Sequence, residues 1–297
     1  MDLVKFLELK NDLLRSLMNE LSSEELMRAK NDGHAKREPR PCGMTIHTGI
    51  GCNYSCIYCY IYDMGFPHNP RPYPLSGREL VTSLLLNPFF TPTLNGTLLA
   101  FGSVTEPFLK EIYRKTIEYL EFIDKYLRNP IQLSTKASLT INQVSEFHKV
   151  SGQRASLLIT IISLRKYKEL EPLAPSPIDR LETATLMRKV GFEPTLFIRP
   201  FIPGITDKEI LDILELALSY DIKSVIYGTL RVTTRIIRNL KNIGIDLSTR
   251  ASNIPKGNVQ VPIRASDIKK ELIKNCLLYT SDAADELDGV DLGGRRI

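Results

Sequence analysis

No run of about 18 or more apolar residues occurs anywhere in this 297-residue chain, and a helix that spans a bilayer needs about 20. Nor does a charged-then-apolar pattern of the secretory kind open the sequence. The first 30 residues, MDLVKFLELKNDLLRSLMNELSSEELMRAK, read as a charged amphipathic helix rather than a basic stub followed by an apolar block. Together these absences predict a cytoplasmic protein. Cysteine is sparse at five residues, three of them crowded together, which excludes a secreted disulfide scaffold. No glycine-rich turn follows the first apolar strand, so the usual dinucleotide cradle is lacking.

What the chain does have is ordinary globular composition, 43% hydrophobic and 25% charged residues. That is enough for one large α/β domain or two small ones. Its last 22 residues stand apart. CLLYTSDAADELDGVDLGGRRI resembles a translated sequencing adapter, with two constant blocks, CLLYTSDAADE and VDLGGRRI, around a short variable stretch in one reading frame. We read residues 276–297 as a foreign tail and residues 246–275 as a truncated C-terminal segment, which removes Cys276 from the candidate ligands. Setting aside the tail's two arginines and five acidic residues raises the net charge from +5 to +8. A modest basic excess permits a polyanionic partner. The basic stretch RAKNDGHAKREPRP, residues 28–41, is expected as a solvated linker. Residues 1–40 then form an N-terminal extension to a main domain at 41–245.

Six short apolar segments are predicted as strands, at residues 43–48, 96–101, 131–135, 156–162, 194–199 and 223–228. They are apolar on both faces, as strands covered on both sides must be. Between them lie five helical stretches. One begins after Ser76, a good N-cap, and one spans EPFLKEIYRKTIEYLEFIDKYL from Glu106. The others are LTINQVSEFHKV, SPIDRLETATLMRKVG with Gly191 as its stop, and TDKEILDILELALSY with Thr206 as its cap. Strand and helix in alternation predict parallel βα units, and six of them predict a partial (β/α)6 TIM-type barrel. In such folds the chemistry sits at the carboxyl ends of the strands.

The first strand runs into GIGCNYSCIYCYIYD, where Cys52, Cys56 and Cys59 are spaced C-x3-C-x2-C. Thiolates on one such loop can converge on three corners of an iron–sulfur cube, leaving the fourth iron open. Zinc is the competing reading, with Cys42 or His47 as a fourth ligand. Cys42 lies at the far end of the strand, remote from the loop, and His47 can equally pack along it.

C-x3-C-x2-C with an aromatic residue before the last cysteine, here Tyr58, resembles the signature of the radical S-adenosylmethionine superfamily. CIYCY, LSTK, TIISLRKYKELEP, DRLETATLMRKVGF and RPFIP follow in an order similar to spore photoproduct lyase and its relatives, over roughly residues 43–205. The resemblance implies a [4Fe–4S] cluster on Cys52, Cys56 and Cys59. It also implies S-adenosylmethionine on the open iron, and reductive cleavage to a 5′-deoxyadenosyl radical that abstracts a hydrogen atom. A reductant such as ferredoxin or flavodoxin is the implied partner, with nucleic acid as one candidate substrate.

Residue by residue, Tyr58 and Tyr60 match an aromatic pair linked to radical transfer in the lyase, although packing beside the cluster is a role open to both. The loop GSVTEP after the second strand, with Gly102, Thr105 and Glu106, stands where the superfamily holds the methionine amino group. Lys136 matches a partner for the cofactor carboxylate. Thr160 falls where the lyase has a serine near the ribose, and Ser163 lies just beyond it. Arg199 is placed to reach the cofactor or a substrate anion. Glu171 and Arg180 are expected to pair with each other. One position departs from the family: Ser103 stands where the lyase carries a cysteine that returns a hydrogen atom to its product. The implied function is therefore a radical enzyme of unassigned substrate. A lyase with a tyrosine relay, and a non-catalytic zinc-bound nucleic-acid or scaffold protein, are the alternatives.

Overall fold

A computed structural model describes residues 3–40 and 43–268, together with the backbone of 279–281. Cys42 and Cys276 lie outside the described residues. The chain divides into two compact units. One takes residues 1–50, 71–133 and 141–156, and the other takes 51–70, 134–140 and 157–297.

The first unit opens with helices α1 (Leu3–Glu20) and α2 (Ser23–Asn31). Strand β1 (Met44–Ile46), helix α3 (Gly77–Leu86), β2 (Leu99–Phe101) and α4 (Tyr113–Phe122) follow. The start of β3 (Ile131–Thr135) and α5 (Ile141–Ser151) complete it. Local chemistry explains several of these boundaries. Ser22 and Ser76 each close a capping box with the glutamate three residues on, so two otherwise orphaned amides are satisfied at the start of α2 and of α3. The strands are parallel, with Met44 opposite Leu99 and Leu99 opposite Ile131, and all three residues are buried.

The second unit carries the cysteine loop, most of β4 (Ala155–Thr160), α6 (Tyr167–Leu170), α7 (Pro177–Lys189), β5 (Thr195–Phe201), α8 (Thr206–Ser219), β6 (Ser224–Thr229) and α9 (Thr234–Asn242). These strands are parallel too, with Leu158 opposite Thr195 and Leu196 opposite Val225. A short antiparallel pair, Arg231–Val232 with Val261–Pro262, flanks α9. Three residues of the tail, Tyr279–Ser281, run parallel to β6. Six strand–helix repeats with parallel strands, following the N-terminal helices in chain order, are the α/β pattern of a partial TIM-type barrel. No helix among the described residues is long and apolar enough to cross a membrane.

Three local expectations differ from what is observed. The stretch at 28–41 is partly folded rather than solvated: Arg28 meets Glu79 at 2.7 Å, and Ala29 and His34 are fully buried. The helix expected from Glu106 starts only at Tyr113, because the chain turns through Pro107, whose carbonyl accepts a bond of 2.7 Å from Thr116 Oγ1. Thr206 does not cap α8. It is the first helical residue, and its hydroxyl instead ties Ile202 N–H and Ile162 O at 3.0 Å each.

Candidate functional site

The cysteine loop starts at a glycine that no other residue can replace without strain. Gly51 has φ +86°, and a Cβ there would lie 2.3 Å from Pro67 O. Cys52 N–H then donates to the same carbonyl at 3.2 Å. Ser55 turns the chain at φ +55°, Ile57 N–H donates to Leu170 O at 3.0 Å, and Cys59 N–H closes a turn on Cys56 O at 3.0 Å. Tyr62 Oη donates to Cys52 O at 2.9 Å, so both ends of the loop are tied. Cys56 is buried, Cys52 and Cys59 are partly exposed, and none of the three is in a disulfide. Among the described residues no three His, Cys, Asp or Glu side chains close around a single ion.

Burial pushes the Cys56 and Cys59 thiols above their usual range, and Lys136 pulls both back. Glu171 and then the other two cysteines raise Cys56 further, so Cys56 stands within the field of both.

Behind the loop lies a fully buried ionic group. Tyr58 Oη donates to Glu171 Oε1. Glu171 Oε2 stands 2.6 Å from Arg180 Nη2, a charge contact between two side chains each 1% exposed. Arg180 is anchored by Nε to Pro175 O at 2.8 Å and by Nη1 to Thr160 O at 2.9 Å. Lys136 Nζ approaches Glu171 Oε1 at 3.8 Å and lies 5.9 Å from the Tyr58 ring centre. Burial pushes the Tyr58 phenol up, with Cys56 and Glu171 adding to it. For Arg180, burial alone would lower the pKa, but Glu171 outweighs it and the net shift is upward. The pair anticipated at Glu171 and Arg180 exists, and it gathers Tyr58 and Lys136.

The remaining candidates divide. Thr160 is buried at the end of β4. Ser163 is occupied structurally, donating to Glu209 Oε1 and accepting from Lys166 N–H at 2.9 Å each. Arg199, on β5, runs across Gly228 of β6, where a Cβ would meet its side chain at 3.0 Å. Tyr60 opens a single 3-10 turn and packs, partly buried, against the apolar cluster containing Cys56. In the first unit, Gly102 leaves β2 at φ +96°. Ser103 is exposed and Glu106 is buried. The buried Thr105 hydroxyl has no hydrogen-bond partner. His47 accepts from Arg37 Nη1 at 3.1 Å and meets His34 and Tyr73 edge-on.

Sequence reasoning missed Asp63, Arg235 and Asn239, which touch the loop directly. Arg235 and Asn239 donate to Cys59 O and Ile57 O, and Asp63 pairs with Arg235. Their only signal in the sequence was the i, i+4 spacing of two polar residues on a strongly amphipathic helix.

Residues 46–217, more than half the chain, match the model of the radical SAM superfamily. The chain belongs to the radical SAM superfamily. A relative, the uncharacterized protein MJ0683 of Methanocaldococcus jannaschii, is 27% identical over 166 residues. That match covers 55% of this chain and 62% of the relative, less than two thirds of its length. In fold, this radical SAM chain resembles spore photoproduct lyase. A mutant lyase holding dinucleoside spore photoproduct superposes with a TM-score of 0.66 at 15% identity, over 86% of this chain and 81% of that one. Another mutant, with bound AdoMet and the same dinucleoside, superposes with a TM-score of 0.66 at 14% identity over the same shares.

Proposed function

We propose that this radical SAM enzyme holds a [4Fe–4S] cluster on Cys52, Cys56 and Cys59 and uses S-adenosylmethionine to start a radical reaction. The observation that carries this reading is the loop: three thiols in one short segment, none in a disulfide, with Cys56 in the field of the other two. The donor set fits the group. Desolvated thiols need a strong cation to become thiolate ligands, and three ligands leave one iron for the methionine end of the cofactor. When bound, cluster and S-adenosylmethionine would supply reductive cleavage to a 5′-deoxyadenosyl radical.

The chain's own residues bind and orient. Gly102 turns the backbone after β2, and the Thr105 hydroxyl, which has no hydrogen-bond partner, and the buried Glu106 carboxylate, which accepts from Phe108 N–H, suit an ammonium. Lys136 serves the cofactor carboxylate, and Thr160 and Arg199 serve its ribose or a substrate anion. Ser163 supports its loop by donating to Glu209 and accepting from Lys166 N–H, and its second lone pair can serve the cofactor. Tyr58 braces the loop through Glu171, which leaves Tyr60 as the relay candidate. A one-electron donor of the ferredoxin or flavodoxin type is the partner, and a cytoplasmic setting suits both that donor and an oxygen-labile cluster. The substrate class stays open. Nucleic acid is one candidate, but Ser103 cannot return a hydrogen atom as a thiol would.

The test is anaerobic reconstitution, metal analysis and assay with S-adenosylmethionine and a reductant. About four irons per chain and formation of 5′-deoxyadenosine are expected. One zinc with no iron, or no 5′-deoxyadenosine, overturns the reading. Turnover of a dinucleoside spore photoproduct by the wild type would assign the substrate and remove the objection raised by Ser103.

A further inference from the structure

Two side chains of α9 reach the carbonyl oxygens of the cysteine loop. Arg235 Nη2 donates to Cys59 O at 2.6 Å, and Asn239 Nδ2 donates to Ile57 O at 3.0 Å. Four residues apart on a helix, they share one face, and the two carbonyls they take are those flanking Tyr58. Arg235 is held in turn by Asp63, with Nε to Oδ1 and Nη2 to Oδ2 at 2.8 Å each. Thr233 Oγ1 steadies the same carboxylate at 2.9 Å, and the guanidinium lies 5.6 Å from the Tyr62 ring centre. Ile236 and Leu240, also four apart, are fully buried in the apolar cluster that contains Cys56 and Tyr58. The helix is therefore fixed by its apolar stripe while its polar stripe grips the loop backbone.

Resting on the cluster reading above, we propose that Arg235 and Asn239 are positioning residues for the cluster. They clamp the loop segment at residues 57–59, and Arg235 also sets the charge beside Cys59. Reduction adds one negative charge to a cluster, so a cation fixed nearby favours the reduced form and raises the potential. Replacing Arg235 removes that cation and leaves Asp63, only 5% exposed, without its partner. The potential falls and the loop loosens. Asn239 carries no charge, so its loss loosens the loop without that electrostatic effect.

The experiment compares reconstituted wild type with Arg235→Gln, Asn239→Ala and, as control, Arg238→Gln, an exposed residue of the same helix. Iron release to a chelator, the midpoint potential followed by electron paramagnetic resonance, and amide exchange of residues 52–63 in the apoprotein are read. Outer residues that orient metal ligands change metal affinity by about 10- to 100-fold, so iron release at least about 10-fold faster is expected in Arg235→Gln and Asn239→Ala. Faster exchange of the loop amides in both apoproteins is expected as well. A more negative potential is expected in Arg235→Gln alone, and Asp63→Asn with Arg235→Gln should restore the potential but not iron retention. Wild type that takes up no iron overturns the cluster reading itself. Wild type that holds iron while both variants behave like Arg238→Gln overturns the clamp and leaves the cluster reading standing.

Discussion

At the residue scale, the behaviour of this protein depends on charges placed where water is absent. Glu171 holds Arg180, Tyr58 and Lys136 together, with the first two partners inside the core. Deleting one member of a buried ion pair costs about 3–5 kcal/mol because the other charge is stranded. Glu171→Gln is therefore expected to lose that much in a denaturant titration, whereas Tyr58→Phe, which removes one hydrogen bond, should lose only about 1–3 kcal/mol. Equal losses would show that Glu171 does not carry the group. A second set of buried titrating residues predicts a pH dependence. Burial lowers the pKa of His34, with Asp32 opposing, and lowers His47 to about 3, with Arg37 adding. Both rings are neutral when folded, and both charge more readily when unfolded, near pH 6.5. Stability is thus full above about pH 6.5 and falls as pH drops below it, by up to about 1.4 kcal/mol per pH unit for His47 down to about pH 3, with His34 acting in the same direction. Asp32, lowered to about 2, adds a loss only below its unfolded value. Urea midpoints at pH 7, 6 and 5 should fall in turn, and less steeply in His47→Gln. A flat profile would mean the rings are not neutral and buried.

At the scale of elements, the cysteine loop is a rigid turn imposed by its neighbours. Gly51 is the point where it enters, at φ +86° and against Pro67 O. Gly51→Ala is expected to destabilise by about 1–3 kcal/mol through backbone strain and, on the proposed cluster reading, to speed iron loss from reconstituted protein, read by thermal melting of the apoprotein and by chelator challenge. Unchanged melting would place the strain elsewhere. Helix ends divide into those readable from neighbours in sequence and those that are not. Ser76 caps α3 and Gly191 follows α7 at φ +98°, as short-range patterns predicted, while the cap of α7 by Ser176 is a finding of the structure. Thr206 looked like the same kind of cap, but its hydroxyl bonds Ile162 O, which lies 44 residues away. A residue with two uses for one hydroxyl cannot be assigned from its neighbours in sequence.

For the whole molecule, the strand–helix alternation fixes the fold class, and membership of the superfamily follows from residues 46–217. The tail contributes a short strand beside β6 at Tyr279–Ser281. An edge strand offers unpaired backbone groups that an extended segment can meet without side-chain specificity. A chain ended at Asn275 is therefore expected to keep its fold and, on the proposed cluster reading, to take up the same iron on reconstitution, with a melting temperature within about 4 °C of the full chain, the shift that about 1 kcal/mol gives at this size. Loss of cooperative melting in the shortened chain would mean the tail is part of the fold.

Read alone, the sequence determined what depends on spacing: three cysteines within eight positions, apolar strands alternating with amphipathic helices, and the capping Ser76. Such features act over a few residues and need no knowledge of the remote chain. Tertiary structure decided which side chains meet. Tyr58 finds Glu171 across 113 residues, and Cys59 O finds Arg235 across 176. The buried His34 likewise turned an apparent basic linker into part of the first unit. Partners so distant are chosen by chain closure and by the cost of leaving a buried charge or carbonyl unpaired, and neither leaves a local mark in the sequence.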